Sequence, residues 1–387
     1  MSATPRYYHA DEQGSSGELK DSSNDNHAAG HFQRPHRENH ELELGVTEIA
    51  EGRTDVQRNV AISGGLANSE FRAKWQTYRP EWLGAFVGEF FGVFSFTLFG
   101  TMSTVVYFLG EATEMSLASF FQIGLAYALG ITFAIVVGAM SSGGHFHPAI
   151  TLCQVVFKGF PAKKAPFYIF AQLLGGFVGA LCTYACNKSP LDAIEARMRA
   201  GGLTAQIFSS SGPAGTIALF PPAGRTYGEI FFNEFLAALV IGLVIWACLD
   251  SQNIFVSPTI VPFTIGLVYA AVIWGFITGG LALNTARDLG ARFACGAIYG
   301  SECFPAKYTA LAALTNILST FIAVFIYTFI LADSRRPPAH VALSHLASEE
   351  EKAVLHATRT HEELMEKRGT DGGSGLMRRI TTGRSTR

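Results

Sequence analysis

The sequence predicts an all-α membrane protein with six transmembrane helices and two re-entrant half-helices, arranged as an inverted repeat of three plus three. Three observations predict it. Of 387 residues, 49% are hydrophobic and only 16% charged, whereas a soluble domain carries roughly 25% charged residues. Apolar windows long enough to cross about 30 Å of hydrocarbon recur six times, at 82–109, 117–140, 165–186, 228–249, 257–278 and 307–332. Two short stretches of like shape, "SSGGHFHPAITLCQVVF" (141–157) and "GGLALNTARDLGARFACG" (279–296), follow the second and fifth windows.

Most of the charge lies before residue 80 or after residue 333. Residues 1–78 mix Gly, Ser, Asn, Asp, Glu and His with few apolar side chains, so they read as a disordered tail rather than a packed core or a cleaved signal peptide. His27, His31, His36 and His40 resemble a metal tract only loosely and fit a solvated tail better. The membrane domain is expected over 79–333, and a charged, partly helical tail over 334–387. In that tail Ser348 and Glu351 could form a capping box, opening a helix through about Lys367. The basic end "RRITTGRSTR" reads as a solvated tail or as a kinase target around Thr381.

Orientation follows from Lys and Arg rather than from the net charge of −2. Arg72, Lys74 and Arg79 precede the first span, Lys158, Lys163 and Lys164 join the second to the third, and Arg335 and Arg336 follow the sixth. The positive-inside rule places all of these, and both termini, in the cytoplasm. The long connection 187–227 carries Lys188, Arg197, Arg199 and Arg225, but long loops obey the rule less strictly. The six cysteines (153, 182, 186, 248, 295, 303) have no metal spacing. Three of them (182, 186 and 248) fall in apolar windows, where a thiol packs as a small hydrophobe, while Cys186 and Cys303 could both face outside and pair.

The spans form two matching sets. Glu89 lies inside the first span, 58 residues before His147, and Glu234 lies inside the fourth, 50 residues before Asn284. Three spans per repeat make the halves insert with opposite topology, and such repeats place their site at the bilayer midplane, where broken helices meet. The segments from Pro148 to Phe157 and from Thr285 to about Cys295 are half a membrane thickness long. Their lead-in loops, "SSGGHF" and "TGGLAL", are irregular backbone, which survives at membrane depth only against protein or a water-filled cavity. A pore is therefore expected.

These residues resemble the major intrinsic protein family, the aquaporins and aquaglyceroporins, over about 79–333. The resemblance rests on the two re-entrant motifs, the Glu in each half, "AQLLGGFVGA" (171–180) and "RDLGAR" (287–292). The family's paired Asn-Pro-Ala motif stands here as His147-Pro148-Ala149 and Asn284-Thr285-Ala286. The resemblance implies an aquaporin-like fold and a homotetramer embedded in lipid. It also implies half-helices whose positive N-termini meet at the pore centre and repel cations. Gly144, His145 and Phe146, then Leu281, Ala282 and Leu283, would offer a ladder of carbonyl acceptors, with Glu89 and Glu234 bracing the two loops. His147 would cap its half-helix through one ring nitrogen and meet the permeant with the other, while Thr285 loses the proline ring that packs against its counterpart. If acid protonates His147, flux of neutral solute should fall; the alternative is a tolerated substitution without gating.

An arginine at membrane depth usually lines a cavity. The family's outer constriction would here comprise Arg287 with Tyr127, Leu281 and either Ala271 or Val272. Asp288 and Arg292 lie four apart on one half-helix and should pair, which is the family's glycerol-type pattern, although Asn316 and Ile317 fit neither subfamily. The implied function is downhill passage of glycerol and other small uncharged solutes with some water, most simply through a plasma membrane, in a fungal-type member. Alternatives are a channel for water or hydrogen peroxide, a non-conducting relative with an adhesion or signalling role, and an ion-coupled transporter using Glu89 and Glu234. Without a nucleophile–base pair, phosphate loop or metal constellation, no enzyme activity, cofactor or nucleic-acid partner is expected.

Overall fold

A computed structural model describes residues 70–276, 280–333, 335–339, 348–349 and 356–357. The histidines before residue 41, the 348–351 capping box and Thr381 fall wholly or partly outside these residues, as does 277–279 of the second lead-in loop. The described elements run α1 (Glu70–Tyr78), α2 (Glu81–Ala112), α3 (Phe120–Ser142), α4 (Pro148–Lys158), α5 (Ala165–Ala200), α6 (Thr204–Ile207), α7 (Tyr227–Cys248), α8 (Val261–Gly275), α9 (Thr285–Tyr299) and α10 (Ala306–Ile326). α10 continues into a π-helical turn, Tyr327–Leu331. Helices α2, α3, α5, α7 and α10 are long and apolar enough to cross a membrane. α8 is shorter, with 15 residues, which span about 22 Å.

The repeat is visible in the packing. α2, α3 and α5 form one set with the half-helix α4; α7, α8 and α10 form the other with the half-helix α9. α2 packs on α3 and α5, and α7 on α8 and α10. α3 meets α8 across the repeat, and each half-helix touches α5, α10 and the other half-helix. Close approach depends on small residues. A Cβ on Gly176 of α5 would stand 2.6 Å from the Ala286 carbonyl oxygen of α9, so the "GG" of span three lets the half-helix lie against that helix. Outward, Phe133, Val136, Val137, Met140, Leu314, Leu318 and Phe325 are exposed, which suits helices bathed in lipid.

Three expectations change. The last nine residues of the stretch read as tail form helix α1, because Phe71, Trp75 and Tyr78 recur at helical spacing along one side. All three rings are exposed, at the point where the chain enters the first span, and amphipathic rings favour the membrane–water boundary. The third span does not stop near 186. α5 runs to Ala200 with a kink at Asn187 (φ −120°), three residues before Pro190, whose missing N–H and bulky ring interrupt the ladder there. The cysteine pairing also differs: Cys303 bonds to Cys295, with Cα atoms 5.8 Å apart, whereas Cys186 is free and exposed. Gly300 (φ 105°) reverses the chain after α9, and the 3-10 turn Ser301–Cys303 returns Cys303 onto the helix.

Candidate functional site

Each lead-in loop is tied to a buried glutamate on the first long helix of its own half. The Glu89 carboxylate accepts from the N–H groups of His145 (2.9 Å) and Phe146 (2.7 Å), from Ser142 Oγ (2.7 Å) and from Gln172 Nε2 (2.7 Å). Glu234 accepts from the N–H groups of Ala282 and Leu283, both at 2.7 Å. Phe146 (φ 48°) and Leu283 (φ 56°) both adopt the left-handed conformation, unusual for residues with a side chain. They are the last residues before His147 and Asn284, so both halves turn into their half-helices through the same strained step.

The two motif side chains each do two jobs. Asn284 Oδ1 caps α9 by accepting from the N–H groups of Ala286 (2.9 Å) and Arg287 (3.2 Å). Its Nδ2 donates to the Phe146 carbonyl at 2.8 Å. His147 Nδ1 caps α4 by accepting from the Ala149 N–H at 3.0 Å, with Pro148 at the first helical position, where no N–H is needed. His147 Nε2 lies 2.8 Å from the Leu283 carbonyl, which can only accept, so the ring is the neutral tautomer with its proton on Nε2. The half-helices are thus cross-latched, each motif bonding to the carbonyl that precedes the other. An amide has two N–H groups and Asn284 keeps one; an imidazole of this tautomer has one and His147 has none left. The expected contact from His147 to a permeant is therefore not available in this arrangement. The Phe146 and Leu283 carbonyls each accept one latch bond and keep a second lone pair, while those of Gly144, Leu281 and Ala282 accept no backbone or side-chain bond among the described residues.

Thr285, where a proline was expected to be missed, has its own anchor. Its hydroxyl lies 2.8 Å from both the Ala313 carbonyl and Asn316 Oδ1, tying the start of α9 to α10. Arg292 makes a bidentate pair with Asp288, at 2.7 Å and 3.2 Å, with both side chains fully buried. Its remaining nitrogen donates to the Leu219 and Cys303 carbonyls at 3.0 Å each. The pair thereby clamps the long connection and the disulfide turn onto α9.

Two cavities follow the axis. The larger, of about 470 Å³, lies between the motifs and the long connection 187–226 and includes Tyr127, Ile273, Leu281, Asn284 and Arg287. Arg287 Nη2 donates to the Tyr127 hydroxyl at 2.5 Å, while its Nη1 is buried without a partner. Tyr127 fits because position 100 is glycine; a Cβ there would fall 2.1 Å from the Tyr127 ring. Neither Ala271 nor Val272 lines this cavity. Ala271 is exposed and Val272 is buried in the apolar core, and Ile273 takes the place expected of them. One hundred degrees per residue decides this: Ile265, Tyr269 and Ile273 are each four apart and share the inward side of α8, and that spacing was the missed signal. The smaller cavity, of about 40 Å³, lies beyond the motifs, among Phe96, Ile131, Ile135, Ile150, Gln154, Ile245, Leu249, Ile265 and Tyr269. Among the described residues no cluster could hold a metal ion.

The family profile described as Major intrinsic protein matches residues 76–327. The chain belongs to the major intrinsic protein family. It is 42% identical over 271 residues to an aquaporin of Laccaria bicolor, covering 68% of this chain and 88% of that one. It is 32% identical over 248 residues to aquaglyceroporin-2 of Rhizophagus irregularis, covering 63% and 75%. The solved aquaglyceroporin from Plasmodium falciparum superposes with a TM-score of 0.54 at 25% identity, covering 65% of this chain and 97% of that one. This major intrinsic protein is a multi-pass integral membrane channel for water and small solutes, not an enzyme.

Proposed function

We propose that this major intrinsic protein conducts glycerol and other small uncharged solutes downhill, with some water, through the path lined by the two motifs. The observation that carries the reading is the make-up of the outer constriction. Arg287 lines the cavity beside Tyr127, and the Tyr127 hydroxyl, which accepts from Nη2, keeps its own proton to donate. Ile273 and Leu281 supply apolar walls. A polyol can turn its hydroxyls to the polar corner and its carbons to the aliphatic side chains. The Leu281 and Ala282 carbonyls then accept from its hydroxyls, and the free N–H of Asn284 donates at the centre.

The N-termini of α4 and α9 meet there, and their partial positive charges oppose cations and protons. Glu89 and Glu234 act as braces, each accepting two loop N–H groups, which argues against ion coupling through them. The basic clusters favour a cytoplasmic location for both termini, with the large cavity opening outward. A homotetramer in the plasma membrane is the working assembly.

A second reading has an observation of its own. The 40 Å³ inner cavity has room for a few water molecules, which favours water or hydrogen peroxide over polyols. Stopped-flow light scattering on vesicles holding the purified protein separates the two. Flux of glycerol and water above bare lipid supports the first reading, water without glycerol the second, and neither would sink both.

A further inference from the structure

The two cavities share four lining residues: Phe96 of α2, Ile131 of α3, Tyr269 of α8 and Asn284. These four therefore surround the place where the wide outer cavity gives way to the narrow inner one. Two of them are apolar. Asn284 contributes one free N–H, and His147, the other motif residue, has committed its single proton to Leu283. Tyr269 is the remaining polar group. The residue is 8% exposed, and its hydroxyl makes no hydrogen bond among the described residues. Tyr269 lines both cavities.

We propose that Tyr269 is a selectivity residue at the pore centre. Its hydroxyl takes over the hydrogen bond that His147 cannot give to a permeant, and its ring, against Phe96 and Ile131, sets the largest solute that passes. Three things support it. Tyr269 lies one turn from Ile273 on the inward side of α8, so the same helix face serves the outer constriction and the centre. A hydroxyl both donates and accepts, which a passing water or polyol needs after leaving the Leu281 and Ala282 carbonyls. And the ring Tyr269 belongs to stands where the cavity of about 470 Å³ adjoins the one of about 40 Å³. The inference rests on the reading of the protein as an open solute channel, but assigns the size limit to α8 rather than to Arg287.

The test uses the full chain in lipid vesicles, with water, glycerol and the bulkier erythritol as probes. Tyr269→Phe keeps the ring and removes the hydroxyl, and should lower water and glycerol flux about two- to tenfold, the worth of one hydrogen bond. Tyr269→Ala opens the ring and should raise the glycerol-to-water and erythritol-to-water ratios by about fivefold or more. His147→Asn adds a free N–H at the same place, so the Tyr269→Phe defect should shrink in that background, a coupling that a purely structural tyrosine would not produce. A conducting wild type whose ratios and flux ignore both Tyr269 variants overturns the inference while leaving the channel reading intact. A silent wild type breaks the open-channel reading; Tyr269→Ala then decides the inference alone, since gained flux upholds a block at Tyr269 and continued silence overturns it. If Tyr269→Ala does not assemble, Tyr269→Phe carries the decision by the same flux criterion.

Discussion

The two halves of the repeat solve one problem with different chemistry. Both must hold a short helix, its cap and a strained lead-in loop at mid-membrane, where an unsatisfied polar group has no water to turn to. The HPA half does it with four neutral donors converging on Glu89, and with a proline that starts α4. The NTA half gives Glu234 the two loop N–H groups. It secures α9 by the Thr285 hydroxyl on α10, the buried Asp288–Arg292 pair and the Cys295–Cys303 bond. The lesson is that repeat symmetry constrains which backbone groups must be satisfied, not which side chains satisfy them.

The largest test of this contrast is the ion pair. Asp288→Ala leaves the Arg292 charge buried and should cost about 3–5 kcal/mol, read as a large fall in Tm of the detergent-solubilised protein. Replacing both partners, Asp288→Leu with Arg292→Met, should sit much nearer the wild type; equal losses would show that the pair is not the anchor of this half.

Next come the braces. Glu89→Ala orphans two backbone donors and two side-chain donors, at about 1–3 kcal/mol for each group left buried and unpaired, and Glu234→Ala fewer. Thermal melts should therefore rank Glu89→Ala below Glu234→Ala, and the reverse order would break the account of the HPA half. The disulfide closes a separation of eight residues, for which chain entropy predicts about 2.5 kcal/mol. Cys303→Ala should lose that much stability and Cys186→Ser almost none, and the two melts compare them directly.

The smallest expected effect is the most informative about function. Asparagine can reproduce both bonds of His147 and has one N–H to spare, so His147→Asn should change stability by less than about 1 kcal/mol and raise flux about twofold. Protonating Nδ1 would forfeit the cap to Ala149, so flux in the wild type and in His147→Asn should run in parallel from about pH 5 to 8. A fall in acid seen in the wild type alone would show the imidazole titrating and restore a gating role.

Much of this was legible in the chain. Six apolar windows, a glutamate at like depth in each half and two short motifs led to the inverted repeat, because burying backbone in lipid permits few designs. Asp288 and Arg292 could be paired from their spacing alone, since residues four apart on a helix are neighbours. Thr285 was read only as a loss, because its partners Ala313 and Asn316 are about thirty residues away and nothing local points to them. The fourth wall of the outer constriction was misread for a related reason. The rotation of α8 decides that wall, and it puts Ile273 inward and Ala271 outward.

The sequence by itself determined the class of molecule: hydrophobic length set the spans, motif spacing set the half-helices, and an arginine directly after the second motif marked the path. Only the tertiary structure decided which cysteine pairs with Cys303, which face of α8 meets the pore and which proton His147 carries. Each of those depends on a turn reversing, a helix rotating or a carbonyl arriving from the other half of the chain. Such contacts join residues up to 160 positions apart, and only the folded chain brings them within hydrogen-bond reach.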